Sequence, residues 1–235
     1  MKSNYTPLNL DWQAIDTVLL DMDGTLLDLH FDWHFWMEYL PKIYAEKNGL
    51  DLDEAKERIH QKIHSQQGTL NWYCLDYWSK TLNLPVAQLK QALKHMIQAH
   101  PEVITFLRRL KELNKTVVMV TNAHRDSLSL KLEQTEIGDY FDVLISAHDF
   151  GMPKEDERLW SKIQQVVPYE PKRTLLIDDN IQALKSAQSY GIKYLVAAVH
   201  VSPQMPKIDP KGFPAFENFN ELLQTLPESP VLPKY

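Results

Sequence analysis

Residues 16–28 read DTVLLDMDGTLLD, and the change of character inside that stretch decides the fold. Thr17-Val18-Leu19-Leu20 is a short, apolar, partly β-branched run, which suits a strand buried on both faces. It ends in two carboxylates and a glycine. Asp21 and Asp23 fall on one side of an extended segment, so their charges repel unless a cation or a shared proton resolves the conflict. Gly24 admits a backbone conformation that a side chain hinders, and Thr25 supplies a hydroxyl before Leu26-Leu27 restores apolar character. Asp and Gly are also ordinary turn residues. The rest of the chain therefore has to show whether these carboxylates do chemistry.

From Pro101 onward the chain alternates. A helix is predicted over residues 102–113, with Val103, Phe106, Leu107 and Leu110 on one face. A strand follows over 116–120 and ends in Thr121-Asn122, then a helix over 127–135 and a strand over 143–146. Gly151-Met152-Pro153-Lys154 leads into a helix over 156–167 and a strand over 174–177 that ends in Asp178-Asp179. A helix over 182–190 and a strand over 193–199 complete the series. Apolar strands alternating with helices predict an α/β fold with a doubly wound parallel sheet, in which ligands bind beyond the C-terminal strand ends. The polar clusters stand at those ends.

Residues 28–98 break the alternation and read as all helical, over 32–47, 51–66, 70–82 and 85–98. Asp51 and Asp53 are candidate N-caps, and Pro85 fits a first turn. This block is expected to be an inserted helical cap, with the core formed by 1–27 and 99–235. In its densest aromatic run, TLNWYCLDYW at 69–78, a continuous helix would stack Tyr73 over Tyr77. Asn71, Trp72 and Tyr73 are candidates to meet a nucleobase, against the plainer reading that they form the interior of the cap. The tail over 200–235 carries seven of the 14 prolines and is expected to be irregular except for a helix over 217–226, with its last residues loose.

With 235 residues the chain can bury a substantial core without staples. Its single cysteine, Cys74, excludes an internal disulfide and points to a reducing compartment. No apolar run approaches the roughly 20 residues of a membrane-spanning helix, and the start lacks the pattern of a secretory leader. A soluble, cytoplasmic protein with no membrane partner is expected. A net charge of -6, from 25 basic and 31 acidic residues, provides no general footing on nucleic acid. An anionic substrate would need local devices. Nothing in the pattern fixes an oligomeric state.

A phosphate monoester resists hydrolysis because an anionic nucleophile must approach an anionic phosphoryl group and expel a poor alkoxide. The four clusters can meet each demand. Asp21 can attack phosphorus, and Asp23 can protonate the leaving oxygen and later activate water. Magnesium would offset the charge gathered by Asp21, Asp23, Asp178 and Asp179. Thr121, Asn122 and Lys154 can hold the phosphoryl oxygens.

Asp21-Met22-Asp23-Gly24-Thr25, Thr121, Lys154 and Asp178-Asp179, in that order, resemble the motifs of the haloacid dehalogenase-like (HAD) hydrolases over roughly residues 16–200. The resemblance implies a Rossmann-like core, a helical cap that closes over the substrate, an aspartyl-phosphate intermediate and Mg2+. It favours Asp179 over Asp178 as the direct metal ligand. One departure is visible: the Pro-Asp-Pro that commonly follows the lysine is replaced by Glu155-Asp156-Glu157. DTVLLDMDGTLLDLHFD, TLNWYCLDYWS, TNAH, KLE and FGMPKEDERLW are similar to the bacterial purine 5'-nucleotidases of this family, which implies GMP or IMP as substrate. A sugar-phosphate phosphatase, a phosphomutase and a non-catalytic metal-binding regulator on the same fold are the alternatives.

Overall fold

The structure, a computed structural model, describes residues 5–228. In chain order its regular elements are β1 (Thr17–Leu20), α1 (His30–His34), α2 (Leu40–Asn48), α3 (Leu52–His64), α4 (Leu75–Leu82), α5 (Val86–Ala92), α6 (Val103–Glu112), β2 (Thr116–Thr121), α7 (Arg125–Thr135) and β3 (Val143–Ser146). They continue as α8 (Arg158–Val166), β4 (Thr174–Asp178), α9 (Ile181–Tyr190), β5 (Tyr194–Ala198), β6 (Ala215–Phe216) and α10 (Phe219–Thr225).

The strands form one parallel sheet in the order β3-β2-β1-β4-β5-β6, so the Rossmann-like α/β expectation holds. β1 is central, and its four residues are wholly buried. Val18 and Leu20 face one layer, packing with Phe106 and Leu110 of α6, Leu128 of α7 and Leu222 of α10. Leu19 faces the other, with Leu159, Trp160 and Ile163 of α8 and Leu184 of α9. A continuous apolar run is what two covered faces require. Leu20 pairs with Met119 of β2 and with Ile177 of β4, so the residues that follow all three strands emerge together at one edge. β6, in the tail expected to be irregular, adds a short sixth strand beside β5. The expectation for the last residues falls outside the described ones.

Residues 28–98 are helical and carry a cluster of their own, in which Phe35, Leu40, Ile59, Ile63, Trp78, Leu82 and Val86 are buried. The two connections to the core run side by side: Asp28 N donates to Gln98 O, His100 N donates to Leu26 O, and Leu27 bridges Ala99. Three helix predictions need correction here. The helix over 32–47 starts at His30 and contains a π-helical turn at Phe35–Tyr39, which ends two residues before Pro41, whose missing N–H a regular helix interior would not tolerate. The helix over 85–98 ends at Ala92 and gives way to a 3-10 turn at Lys94–Met96. The helix over 70–82 is broken into a 3-10 turn at Leu70–Tyr73 and α4, with Cys74 extended between them. Cys74 Sγ accepts from Tyr77 N, and Trp78 Nε1 donates to Trp72 O at 3.0 Å. The Tyr73–Tyr77 stack therefore does not form. Asp51 caps α3 by accepting from Glu54 N at 2.9 Å, whereas Asp53 lies inside the first turn. Among the described residues no helix is long and apolar enough to cross a membrane.

Candidate active site

β1 delivers Asp21 to the edge of the sheet, where its N–H donates to Ile177 O at 3.0 Å. β4 ends beside it in Asp178, followed by Asp179. One oxygen from each of Asp21, Asp178 and Asp179 lies within 4.8 Å of the others. Lys154, only 2 % exposed, reaches into this cluster: its Nζ donates to Asp21 Oδ1, and to Asp178 Oδ2 at 2.7 Å. Its backbone N–H donates to Asn122 Oδ1 at 2.9 Å, which fixes the loop after β3 to the loop after β2. Thr121 is buried, and its Oγ1 accepts from Ala123 N at 3.0 Å.

Burial governs the charges. Desolvation pushes Asp21 up to about 6; Lys154 opposes that rise and the Asp178 charge adds to it. Burial also raises Asp178. Asp179 is pushed well above the usual carboxylate range by burial and then by the Asp21 and Asp178 charges. Burial acts against the Lys154 ammonium, but Asp178 and Asp21 outweigh it and hold the lysine protonated. Gly24 makes the corner possible. Its φ is +79°, and a Cβ there would fall 2.6 Å from Asp179 Oδ2.

Asp23 stands apart from the three-carboxylate cluster. Its Oδ1 accepts from Lys131 Nζ at 2.6 Å, and the same ammonium reaches Asp32 Oδ2 at 2.6 Å. Asp32 Oδ1 in turn accepts from Lys90 Nζ at 2.5 Å. Burial lifts Asp23 to about 6 against the pull of Lys131, with Asp32 adding to the rise. Burial acts on Asp32 as well, yet Lys131 and Lys90 together hold it far below the usual range. Asp23, Asp32 and Lys90 line a cavity of about 140 Å³ with Trp36, Trp72 and Tyr73. Asp32, Trp36 and Trp72 also line a neighbouring cavity of about 210 Å³ that continues past Trp33 and Trp78.

The structure thus brings Trp72 and Tyr73 to the space beside Asp23. It does not bring Asn71, whose exposed amide donates to Gln66 Oε1 at 3.1 Å. Lys131, Asp32 and Lys90 were not predicted from sequence. Lys131 belongs to the KLE run, where its only signal was the resemblance.

A family model described as haloacid dehalogenase-like hydrolase matches residues 15–191, which span all of these groups. The chain belongs to the HAD-like hydrolases. It is an enzyme of that family, and it is 39% identical to the GMP/IMP nucleotidase YrfG of Escherichia coli (strain K12), over 93% of this chain and 99% of that protein. Among solved structures, a HAD phosphatase from Thermococcus onnurineus has a TM-score of 0.77 at 24% identity, covering 89% of this chain and 97% of that one. The L-2-haloacid dehalogenase from Xanthobacter autotrophicus has a TM-score of 0.57 at 18% identity, covering 81% of this chain and 80% of that one. Both likenesses are of fold.

Against the HAD pattern the Glu155 substitution acquires a role. Glu155 accepts from Asn122 Nδ2 at 3.0 Å, from Asn180 Nδ2 at 2.7 Å and from Tyr73 OH at 3.1 Å. One carboxylate thereby joins three loops of the HAD core to the cap. Burial and then the Glu155 charge raise the Tyr73 phenol, which stays protonated and able to donate.

Proposed function

We propose that the protein is a magnesium-dependent phosphatase that hydrolyses a purine nucleoside 5'-monophosphate, GMP or IMP, through a phosphoryl group carried on Asp21. The observation that carries this reading is the pairing of two environments. A buried cluster of carboxylates and one ammonium stands two residues from Asp23, and Asp23 lines a cavity walled by Trp36, Trp72 and Tyr73. The 39% identity to a GMP/IMP nucleotidase supports the substrate.

The donor set fits the metal. Asp21, Asp178 and Asp179 offer only oxygen, within 4.8 Å, which suits a small hard cation, and their mutual repulsion is what such a cation relieves. Magnesium held by these three would neutralise charge on the phosphoryl oxygens.

The chain's own groups then divide the work. Thr121, Asn122 and Lys154 hold the phosphoryl oxygens, and Lys154 keeps Asp21 ionised and aimed. An Asp21 carboxylate oxygen forms a bond to phosphorus as the bond from phosphorus to the ester oxygen breaks, and Asp23 gives its proton to that departing oxygen. Asp23, now a carboxylate, takes a proton from water as the water oxygen attacks the aspartyl phosphate. Inorganic phosphate leaves and Asp21 is restored. A haloacid substrate would expel halide, which needs no proton, and would give Asp23 no task.

The test is a screen of nucleotides, sugar phosphates and p-nitrophenyl phosphate with magnesium, with Asp21→Asn as control. Preferred release of phosphate from GMP and IMP is expected. Preference for a sugar phosphate, or phosphoryl transfer to a sugar hydroxyl, would overturn the nucleotidase reading.

A further inference from the structure

The four-charge chain beside the cavity has no task in the mechanism above beyond the Asp23 carboxylate itself. Its members alternate in sign and come in equal number from the two parts of the molecule. Asp23 and Lys131 belong to the core loop and α7, and Asp32 and Lys90 to α1 and α5 of the cap. Lys131 is 1 % exposed and Lys90 is 3 % exposed. Burying a lysine is costly unless its partners compensate. Here the compensation for Lys131 is drawn from both sides of the cavity, with the Phe31 ring of the cap 5.5 Å from its Nζ.

We propose that Lys131 is a positioning residue for the leaving-group step: it aims the Asp23 carboxylate at the ester oxygen, and its second bond, to Asp32, makes that aim depend on the cap being seated. This rests on the reading that Asp23 protonates the leaving oxygen. Lys131 takes Asp23 Oδ1, which leaves Oδ2 to carry the proton toward the cavity that Asp23 lines. It also holds the Asp23 carboxylate outside the cluster formed by Asp21, Asp178 and Asp179. Without the ammonium, Asp23 would lose the α7 hydrogen bond that fixes its Oδ1. If Asp32 moved away with the cap, Lys131 would lose half of its countercharge. The acid is then best aimed only when the cap lies over the substrate.

A merely structural lysine would slow all esters alike. A residue that aims an acid matters in proportion to how badly the leaving group needs a proton. The experiment compares kcat/KM for β-glycerophosphate, whose alkoxide must be protonated, with p-nitrophenyl phosphate, whose phenolate leaves unaided. Both are measured in wild type, Lys131→Met, Lys131→Arg and Asp32→Asn, with GMP run in parallel. Lys131→Met should lose about 100-fold on the alkyl ester and at least about tenfold less on the aryl ester, within the range of acid catalysis. Asp32→Asn should show the same preference with a smaller loss, and Lys131→Arg should recover part of it. Equal losses on the two esters, or no loss, in variants that keep the wild-type melting temperature would overturn the proposal. If Lys131→Met does not fold, Asp32→Asn and Lys131→Arg decide by the same ratio. A wild type that cleaves β-glycerophosphate but not GMP would overturn the nucleotidase reading and leave this ratio to be read.

Discussion

The two walls of the cavity are held in place by different physics. On the core side, charged groups stand at strand ends, and the β1–β2 and β1–β4 registers bring them together. On the cap side, Trp72 and Tyr73 stand at the joint between a 3-10 turn and α4, set by the Trp78–Trp72 hydrogen bond and by packing of the cap's own cluster. Backbone pairing in a buried sheet resists displacement, because a slip by one residue would turn every side chain to the wrong face. A helical joint is held by side chains and can be re-made. The groups proposed to do the chemistry are thus placed rigidly, and those proposed to select the substrate adaptably.

The sharpest break of this comparison is on the core side. Asp21→Asn should lower turnover of every substrate by on the order of 1,000-fold or more and abolish any phosphoryl-enzyme detected by rapid quench. Retained activity would remove the nucleophile from Asp21.

A second test uses protons. Burial raises Asp21 and Asp23 from 3.8 to about 6, and it raises Asp178 and Asp179 too. The folded, metal-free protein therefore holds more protons than the unfolded chain between about pH 4 and pH 6, and these groups lose stability as pH rises through that window. Magnesium held as proposed by Asp21, Asp178 and Asp179 would compete with the protons on those three. Its stabilisation, read as the rise in Tm on adding the ion, should be larger at about pH 7.5 than at about pH 5. An equal rise at both would separate the metal from these carboxylates, and full activity in EDTA would remove it from the mechanism.

On the cap side the effects should be smaller and selective. Trp72→Ala should lower kcat/KM for GMP by the roughly 1–3 kcal/mol that an aromatic ring contributes by stacking on a base, and p-nitrophenyl phosphate by less. Equal losses would assign Trp72 to cap packing alone. Tyr73→Phe removes the hydrogen bond to Glu155 and should cost about 0.5–1.5 kcal/mol, seen as a raised KM for GMP with little change in kcat. A change in kcat alone would place the Tyr73 contact in the chemical step.

The same division explains what could be read in advance. β1, β2, β3 and β4 were legible because strands inside a covered sheet are apolar for most of their length, and the polar residues that end those runs, acids after β1 and at β4, Thr121 and Ser146 at β2 and β3, announce the sheet edge. The break at Cys74 was not legible, since a sulfur cap leaves no propensity signal and TLNWYCLDYW otherwise has helical spacing. Pro41 was in view, but the π-helical turn that accommodates it is a tertiary outcome. Lys131 and Asp32 escaped for another reason. Lys131 lies 108 positions from Asp23 and 99 from Asp32 along the chain, and a lysine within an ordinary helix reads as a solvated residue until the fold brings carboxylates to it. Glu155 could be seen only as a departure from a pattern, and its three donors come from the loops after β2 and β4 and from the 3-10 turn at Leu70–Tyr73.

Gly24 bears on how such an enzyme diverges. Its missing side chain is the clearance for Asp179, with Val201 closing the other side, so that corner of the molecule accepts neither a larger residue nor a displaced carboxylate. The aromatic wall opposite is held by side-chain contacts, from Trp78 to Trp72 and from Tyr73 to Glu155, which other side chains can replace. With the roles proposed above, descendants of this chain would exchange one phosphate ester for another by altering residues 70–78, while the reaction performed on each stayed the same. Substrate range and reaction type would then be under separate evolutionary control, with the boundary between them running through the cavity beside Asp23.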